Sequence, residues 1–419
     1  MRLVHAADIH LDSPLRGLDR YDGAPIGDLR VATRRAFTNL VDYCLEEKAD
    51  ALLLAGDVYD GDWQDFNTGL FFVKQLARLR EARIPVYAVL GNHDAASTIT
   101  RKLKLPENVT LLPHKGPESA VDERLGLAVH GQSFARRDVA EDLAAGYPPP
   151  VAGLFNVGLL HTALAGRPDH APYAPTTPDR LASKGYGYWA LGHVHRAEVV
   201  SQSPWIVFPG NLQGRSIRET GEKGFTVVSV EGIEVTGVET VPCDVARWHD
   251  ISVDVASARG SDDVPLLVQR ALETAVAASG GRLVAARVRL TGRGAIHTKL
   301  VRDARGVEAN ARAAASDVSG EVWVEKVLVQ TLPEVDVDGV RERQDALGHV
   351  ARTIHGVSAD PEALKALAAE LRPLLEKLPP GLGEGVPLFD PSDPDGLRAF
   401  LSEVEGTLIP LLVEGEERP

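Results

Sequence analysis

The chain has 419 residues, 44% of them hydrophobic and 25% charged, enough for two or three domains around a large core. Its formal net charge of -14 argues against a protein that coats nucleic acid through overall positive charge, while leaving room for a local basic groove. Two cysteines, Cys44 and Cys243, are too few for a disulfide framework and fit a reducing cytoplasm, and no run of about 18 apolar residues suggests a signal peptide or a membrane span.

Residues 1 to about 240 alternate apolar strands with amphipathic helices. Strands are expected at 3–7, 51–55, 86–90, 127–130, 157–160 and 188–191. Between the first two, Phe37, Leu40, Val41, Cys44 and Leu45 give one helical stripe. Phe66, Leu70, Val73 and Ala77 repeat the pattern. Such βαβ alternation implies parallel strands covered by helices, with functional loops at their carboxyl ends. Segments 205–208, 225–230 and 233–240 read as an antiparallel meander. We therefore expect an α/β architecture in which two packed sheets are flanked by helices, as domain 1–240. From 241 to 335, strands at 251–255, 283–290 and 322–329 with helices at 264–278 and near Asn310 predict a small α/β unit. Residues 336–419 read as a helical C-terminal segment. There, Leu364, Leu367, Leu371, Leu374, Leu375 and Leu378 form a stripe before Pro379-Pro380-Gly381, and a loop leads to a last helix with Leu397, Phe400, Leu401, Val404 and Leu408.

The chemistry lies in five short stretches, each following an apolar strand. They are Asp8-Ile9-His10, Gly56-Asp57, Gly91-Asn92-His93-Asp94, His161 and Gly192-His193-Val194-His195. Asp8 and His10, like His193 and His195, stand two apart, so an extended backbone turns both to one side. A carboxylate after a glycine turn, as at Asp57, is able to bridge two ions, and an amide oxygen at Asn92 is an uncharged hard ligand. Alone, each signal also fits a turn or capping residue. Together they supply oxygen and imidazole ligands for two divalent ions, with the histidines favouring manganese, iron or zinc. Such a pair holds a phosphate ester and generates the hydroxide that attacks it.

This series resembles the calcineurin-like metallophosphoesterase superfamily over roughly the first 220 residues. Within it, the string from Asp8 to Pro14 and Pro209-Gly210-Asn211-Leu212-Gln213-Gly214-Arg215 are similar to SbcD-type DNA-repair exonucleases, in the YhaO-like branch. The resemblance implies a two-layer β-sandwich flanked by helices, with 241–335 as a capping domain. It implies that Asp8, His10, Asp57 and His195 hold one metal, and that Asp57, Asn92, His161 and His193 hold the other. It further implies that His93 protonates the leaving oxygen, with Asp94 as its orienting partner. Two Mn2+ ions, a homodimer and an SMC-like ATPase docked on the C-terminal helices are implied as well. Asp12 stands where the better-studied exonucleases carry glycine, and serves either the metal ligands or, by preference, the cap of the following turn.

For DNA contact, the Arg215, Arg218 and Lys223 group is best placed by sequence, followed by Arg34-Arg35 and Arg136-Arg137. Arg282, Arg287 and Arg289 would extend that track. The leading expectation is a manganese-dependent DNA exonuclease or endonuclease in cytoplasmic repair. A phosphodiesterase or phosphatase on small phosphate esters shares all five motifs, and an inactive scaffold is disfavoured by the complete ligand set.

Overall fold

A computed structural model describes residues 1–13, 25–60, 66–96, 104–164, 173–375 and 393–416. Pro14, Leu378 and Pro379-Pro380-Gly381, with the loop after them to residue 392, lie outside these described residues. The chain divides into two units, Met1–His249 with Ser279–Ala285 and Asp250–Ala278 with Ala286–Pro419. The expected boundary at about residue 336 falls inside the second unit.

In the first unit the chain runs through β1 (Arg2–Ala6), α1 (Ile26–Glu46), β2 (Ala51–Ala55), α2 (Phe66–Glu81), β3 (Val86–Val89), α3 (Asn92–Ala96) and β4 (Val109–Leu111). It continues through β5 (Glu118–Asp122), β6 (Leu127–Gly131), β7 (Phe155–His161), α4 (Pro178–Ala182) and β8 (Tyr188–Gly192). Last come β9 (Glu198–Gln202), β10 (Trp205–Phe208), β11 (Gly224–Glu231) and β12 (Glu234–Pro242). One sheet has the order β12-β11-β1-β2-β3-β4 and the other β5-β6-β7-β8-β10-β9. β1 to β4 are mutually parallel, as are β6, β7, β8 and β10. Strands buried on both faces need continuous apolar sequence, and Ala51-Leu52-Leu53-Leu54-Ala55 is buried at every position.

Leu3, Leu53, Val89, Val129, Val157, Leu159 and Tyr188 belong to the core shared by the two sheets. The opposite face of the first sheet is covered by α1 and α2 through Phe37, Leu40, Val41, Phe72 and Leu76. The stripe expected on α2 is rotated, however. Phe66 and Leu70 are exposed, and the helix buries Thr68, Phe72, Gln75, Leu76 and Leu79 instead. The expected meander is also divided. β10 pairs in parallel with β8 in the second sheet, whereas β11 and β12 form an antiparallel edge on the first.

β13 (Ala246–Asp254) and β14 (Leu283–Thr291) pass from the first unit into the second and join β15 (Val322–Val329) in a three-stranded sheet. Between and around these lie α5 (Asp263–Ser279), α6 (His297–Arg302) and α7 (Ala304–Val318), the last packed on β15. The chain then becomes helical with α8 (Val337–Glu342), α9 (Ala346–Ala359), α10 (Pro361–Leu375) and α11 (Pro394–Glu416). Leu364 is buried, and Leu367 and Leu371 pack with it against Leu397, Phe400 and Leu401 of α11. These three leucines pack within the helical segment, while the side chains of Leu374, Leu375 and Leu378 lie outside the described residues.

Candidate metal centre

Parallel pairing brings the carboxyl ends of β1, β2 and β3 to one edge of the first sheet, and those of β7 and β8 to one edge of the second. The five motifs stand there. The loop after β1 is held along the loop after β2 by backbone bonds from Asp8 N to Gly56 O (3.0 Å) and from His10 N to Asp57 O (3.1 Å). Two side-chain bonds join the sheets at this end. His193 N donates to Asp8 Oδ2 at 2.9 Å, and His161 Nδ1 faces the Ala55 carbonyl at 2.8 Å. His161 Nδ1 donates a hydrogen bond to that carbonyl, which turns Nε2 toward Asp57 and Asn92.

The backbone is bent hard to achieve this. Asp8, His10, Asp57 and His193 all take positive φ, between 45° and 104°. For residues with a Cβ this conformation is uncommon and costs about 1–3 kcal/mol each, so the surrounding hydrogen bonds must hold it. Gly56 (φ 90°) has no substitute, since a Cβ there would lie 2.7 Å from His161 Nδ1 and 2.8 Å from Gly91 N.

Among the described residues three groups of ligand atoms result: His10 with Asp60 and His93, and the two expected ones, Asp8 with His10 and His195, and Asp57 with His161 and His193. Within each, the atoms lie within 4.8 Å of one another. Asp57 Oδ2 faces both expected groups, 3.5 Å from His161 Nε2 and 4.0 Å from His10 Nε2. Asn92 Oδ1 is 2.9 Å from His161 Nε2. His195 Nε2 stands 3.6 Å from Asp8 Oδ1 and 3.2 Å from His10 Nε2. Without an ion, this contact between two imidazole nitrogens is a hydrogen bond, and both are placed to hold one. Among the described residues, Asp8 Oδ1 is also buried without a hydrogen-bond partner. All seven sequence-expected ligand positions are thus brought together, and their donor set fits a pair of divalent ions that prefer mixed nitrogen and oxygen ligands.

Protons respond to the same field. Burial favours the neutral ring of His161, but Asp57 and then Asp8 lift its pKa to about 9. Burial works likewise on His195, where Asp8 and Glu219 lift the pKa to about 9. His10 moves the other way, its pKa lowered by burial and by the nearby Arg215 and His195. A proton and a metal compete for one nitrogen lone pair, so an ion held by these rings would displace their protons.

His93 sits at the start of α3 with its backbone N–H donating to Asp57 Oδ1 at 2.9 Å. Its Nδ1 faces Asp60 Oδ1 at 2.9 Å. Burial would lower its pKa, yet Asp60 and then Asp57 hold it above the usual histidine value. Asp60, not the expected Asp94, is therefore the carboxylate against His93. Asp94 instead accepts from the backbone N–H groups of Val58 (3.3 Å), Tyr59 (3.0 Å) and Gly91 (3.1 Å), clamping two ligand loops together. Burial and Asp57 push its pKa up to about 6 against those three donors.

Other expectations change as well. Among the described residues Asp12 does not join the ligand groups, and the turn that it was expected to cap lies outside them. Arg34 of α1 donates to it from Nε at 2.8 and 3.0 Å, and Thr68 of α2 bonds the same carboxylate, so Asp12 ties the two helices. Of the expected DNA-contacting group, Lys223 is buried with Nζ donating to His195 O at 3.2 Å, and burial lowers its pKa. Arg215 is half-buried in an ion pair with Glu219 at 2.8 Å, while Arg218 is exposed. Arg282, Arg287 and Arg289 pair with Asp244 (2.8 Å), Glu325 (2.6 Å) and Asp250 (2.6 Å), so that basic track is neutralised where it stands. Arg136 pairs with Glu141 at 2.7 Å.

Sequence reasoning missed Asp60, Glu219 and the exposed Arg196. Asp60 had a signal, three positions beyond Asp57 in the same turn. Arg196 had one too, directly after His195. Glu219 had none, because it reaches the site from an irregular loop.

Comparison with known proteins agrees with this geometry. Residues 1–197 match the calcineurin-like phosphoesterase family, and residues 248–332 match the middle domain of metallophosphoesterase YhaO. An uncharacterised metallophosphoesterase YhaO of Bacillus subtilis is 35% identical over 263 residues, covering 62% of this chain and 64% of that protein. The DNA double-strand break repair protein Mre11 of Methanopyrus kandleri is 25% identical over 298 residues (64% and 63% of the two chains), and that of Sulfurisphaera tokodaii 23% over 280 residues (62% and 67%). The chain thus spans about two thirds of the length of these relatives. With the candidate ligands gathered on two sheets and residues 1–197 matching the family, the chain carries a calcineurin-like metallophosphoesterase domain, of a family of hydrolases that work with divalent metals.

Proposed function

We propose that the protein is a manganese-dependent DNA exonuclease or endonuclease that hydrolyses phosphodiester bonds in repair. Asp8, His10, Asp57 and His195 hold one ion, and Asp57, Asn92, His161 and His193 hold the second. The observation that carries the reading is that Asp57 Oδ2 faces His161 of one ligand group and His10 of the other, with His93 paired to Asp60 beside them. When bound, the ions supply an activated water and neutralise the phosphate oxygens. His93, with one ring proton directed at Asp60, carries its second on Nε2 and delivers it to the departing sugar oxygen. Asp60 keeps that ring in position and protonated, and Asp94 keeps the His93 loop seated against the Asp57 loop.

DNA as substrate is supported by the repair proteins among the relatives and by two exposed arginines, Arg196 next to His195 in the chain and Arg218 next to Glu219. In this reading the protein acts in the cytoplasm as a homodimer beside an SMC-like ATPase. Among the described residues no helix is long and apolar enough to cross a membrane. A specific observation favours a second reading, a phosphodiesterase on smaller esters. The arginines of β14 that would extend a DNA track are already ion-paired.

The test is incubation of wild type and His93→Ala with manganese and end-labelled single- and double-stranded DNA, alongside bis-nitrophenyl phosphate. The nuclease reading expects DNA cleavage by wild type, loss of it in the variant, and two bound ions in both. Cleavage of the nitrophenyl ester alone, unchanged when an SMC-like ATPase and ATP are added, selects the small-ester reading.

A further inference from the structure

We propose that Glu219 and Arg215, in the loop between β10 and β11, are positioning residues that hold His195 toward its ion and couple it to the His93–Asp60 pair. The inference rests on His195 being a metal ligand, as proposed above.

Glu219 Oε1 accepts from His195 Nδ1 at 2.7 Å, which turns Nε2 toward Asp8 and His10. The carboxylate is itself fixed from three directions. Asn211 Nδ2 donates to Oε2 at 3.0 Å, the Arg215 backbone N–H to Oε2 at 2.7 Å, and Arg215 Nη2 to Oε1 at 2.8 Å. A glutamate that only closed its own loop would need no contact with a ligand ring. This one places an ionised oxygen against the nitrogen opposite the ligand atom, where it fixes the ring and raises its basicity. Arg215 then reaches further. Its Nη1 lies 3.4 Å from Ser13 Oγ and 3.9 Å from Asp60 Oδ2, and Ser13 Oγ donates to the same Asp60 oxygen at 2.5 Å. One planar guanidinium therefore spans from the carboxylate behind His195 to the carboxylate behind His93. A lysine carries the charge and lacks the fork needed to hold both ends.

Manganese titrations by calorimetry and electron paramagnetic resonance test this without any substrate. In Glu219→Gln, one of two ions should bind about tenfold to hundredfold more weakly while the other binds as in wild type. Glu219→Asp, which keeps the charge and withdraws it by one methylene, should do the same and stands in should the glutamine variant fail to fold. Arg215→Lys should weaken the same ion and also slow cleavage of an alkyl phosphodiester more than that of a nitrophenyl ester. Wild-type binding of both ions in the Glu219 variants, with one ion lost in His195→Ala, would overturn the positioning role and leave the ligand set standing. Equal weakening of both ions together with a lowered melting temperature would reduce Glu219 to a loop staple. Retention of both ions in His195→Ala would remove the ligand reading itself.

Discussion

At the scale of single residues, His93 has two carboxylates near it, and their roles are separated by geometry. Asp60 faces the ring at 2.9 Å, while Asp94 accepts three backbone N–H groups and clamps the ligand loops. Asp60→Asn should lower kcat on an alkyl phosphodiester by about tenfold to a hundredfold, within the range of general acid catalysis, and change nitrophenyl ester cleavage little. Nitrophenolate leaves without a proton, so the ratio of the two rates reads the acid directly. Asp94→Asn should leave that ratio alone and lower unfolding free energy by about 1–3 kcal/mol in a urea titration, since one acceptor is lost among buried donors. A reversed pattern would return the orienting role to Asp94. Neighbourhood in sequence suggested Asp94, but its backbone turn directs the side chain back to Gly91 rather than across to the ring.

At the scale of elements, helical periodicity identified α1, α2 and α10 and the buried faces of α1 and α10, but not the buried face of α2. The stripe read on α2 began at Phe66 and Leu70, which are exposed, whereas Phe72 and Leu76 meet the sheet. A helix carrying apolar residues on more than one side is oriented by its neighbours, and here α1 and the Asp12–Arg34–Thr68 link do so. Leu70→Ala should therefore shift stability by no more than about 0.5 kcal/mol. Leu364→Ala, at a side chain only 2% exposed against Leu397 and Leu401, should lose about 2–5 kcal/mol. Equal effects at both sites in denaturant titrations would contradict the assigned faces.

At the scale of the whole molecule, the chain is acidic, with a net charge of -14, and the metal ligands add to that balance. Ions that bind only the folded protein stabilise it by mass action, about 2.7 kcal/mol per site at a hundredfold excess over Kd. Chelation should accordingly lower the melting temperature of wild type and do so far less in Asp57→Asn, whose carboxylate faces both ligand groups. DNA affinity, where phosphate contact supplies it, should fall steeply with salt. Arg218→Ala should reduce the slope of log affinity against log salt by about 1, and an unchanged slope would remove Arg218 from the contact surface.

Local sequence was enough to read the parallel strands and the seven candidate ligand positions, because each candidate directly follows an apolar strand and parallel strands deliver their carboxyl ends to one edge. Tertiary structure alone decided which charges pair across the chain. Glu219 meets His195 from a loop 24 residues on, and Arg287 finds Glu325 38 residues away on the next strand. Such pairings depend on the path of irregular loops and on strand register. Local composition carries neither, so Arg287 and Arg289 looked free until the sheet paired them with acids.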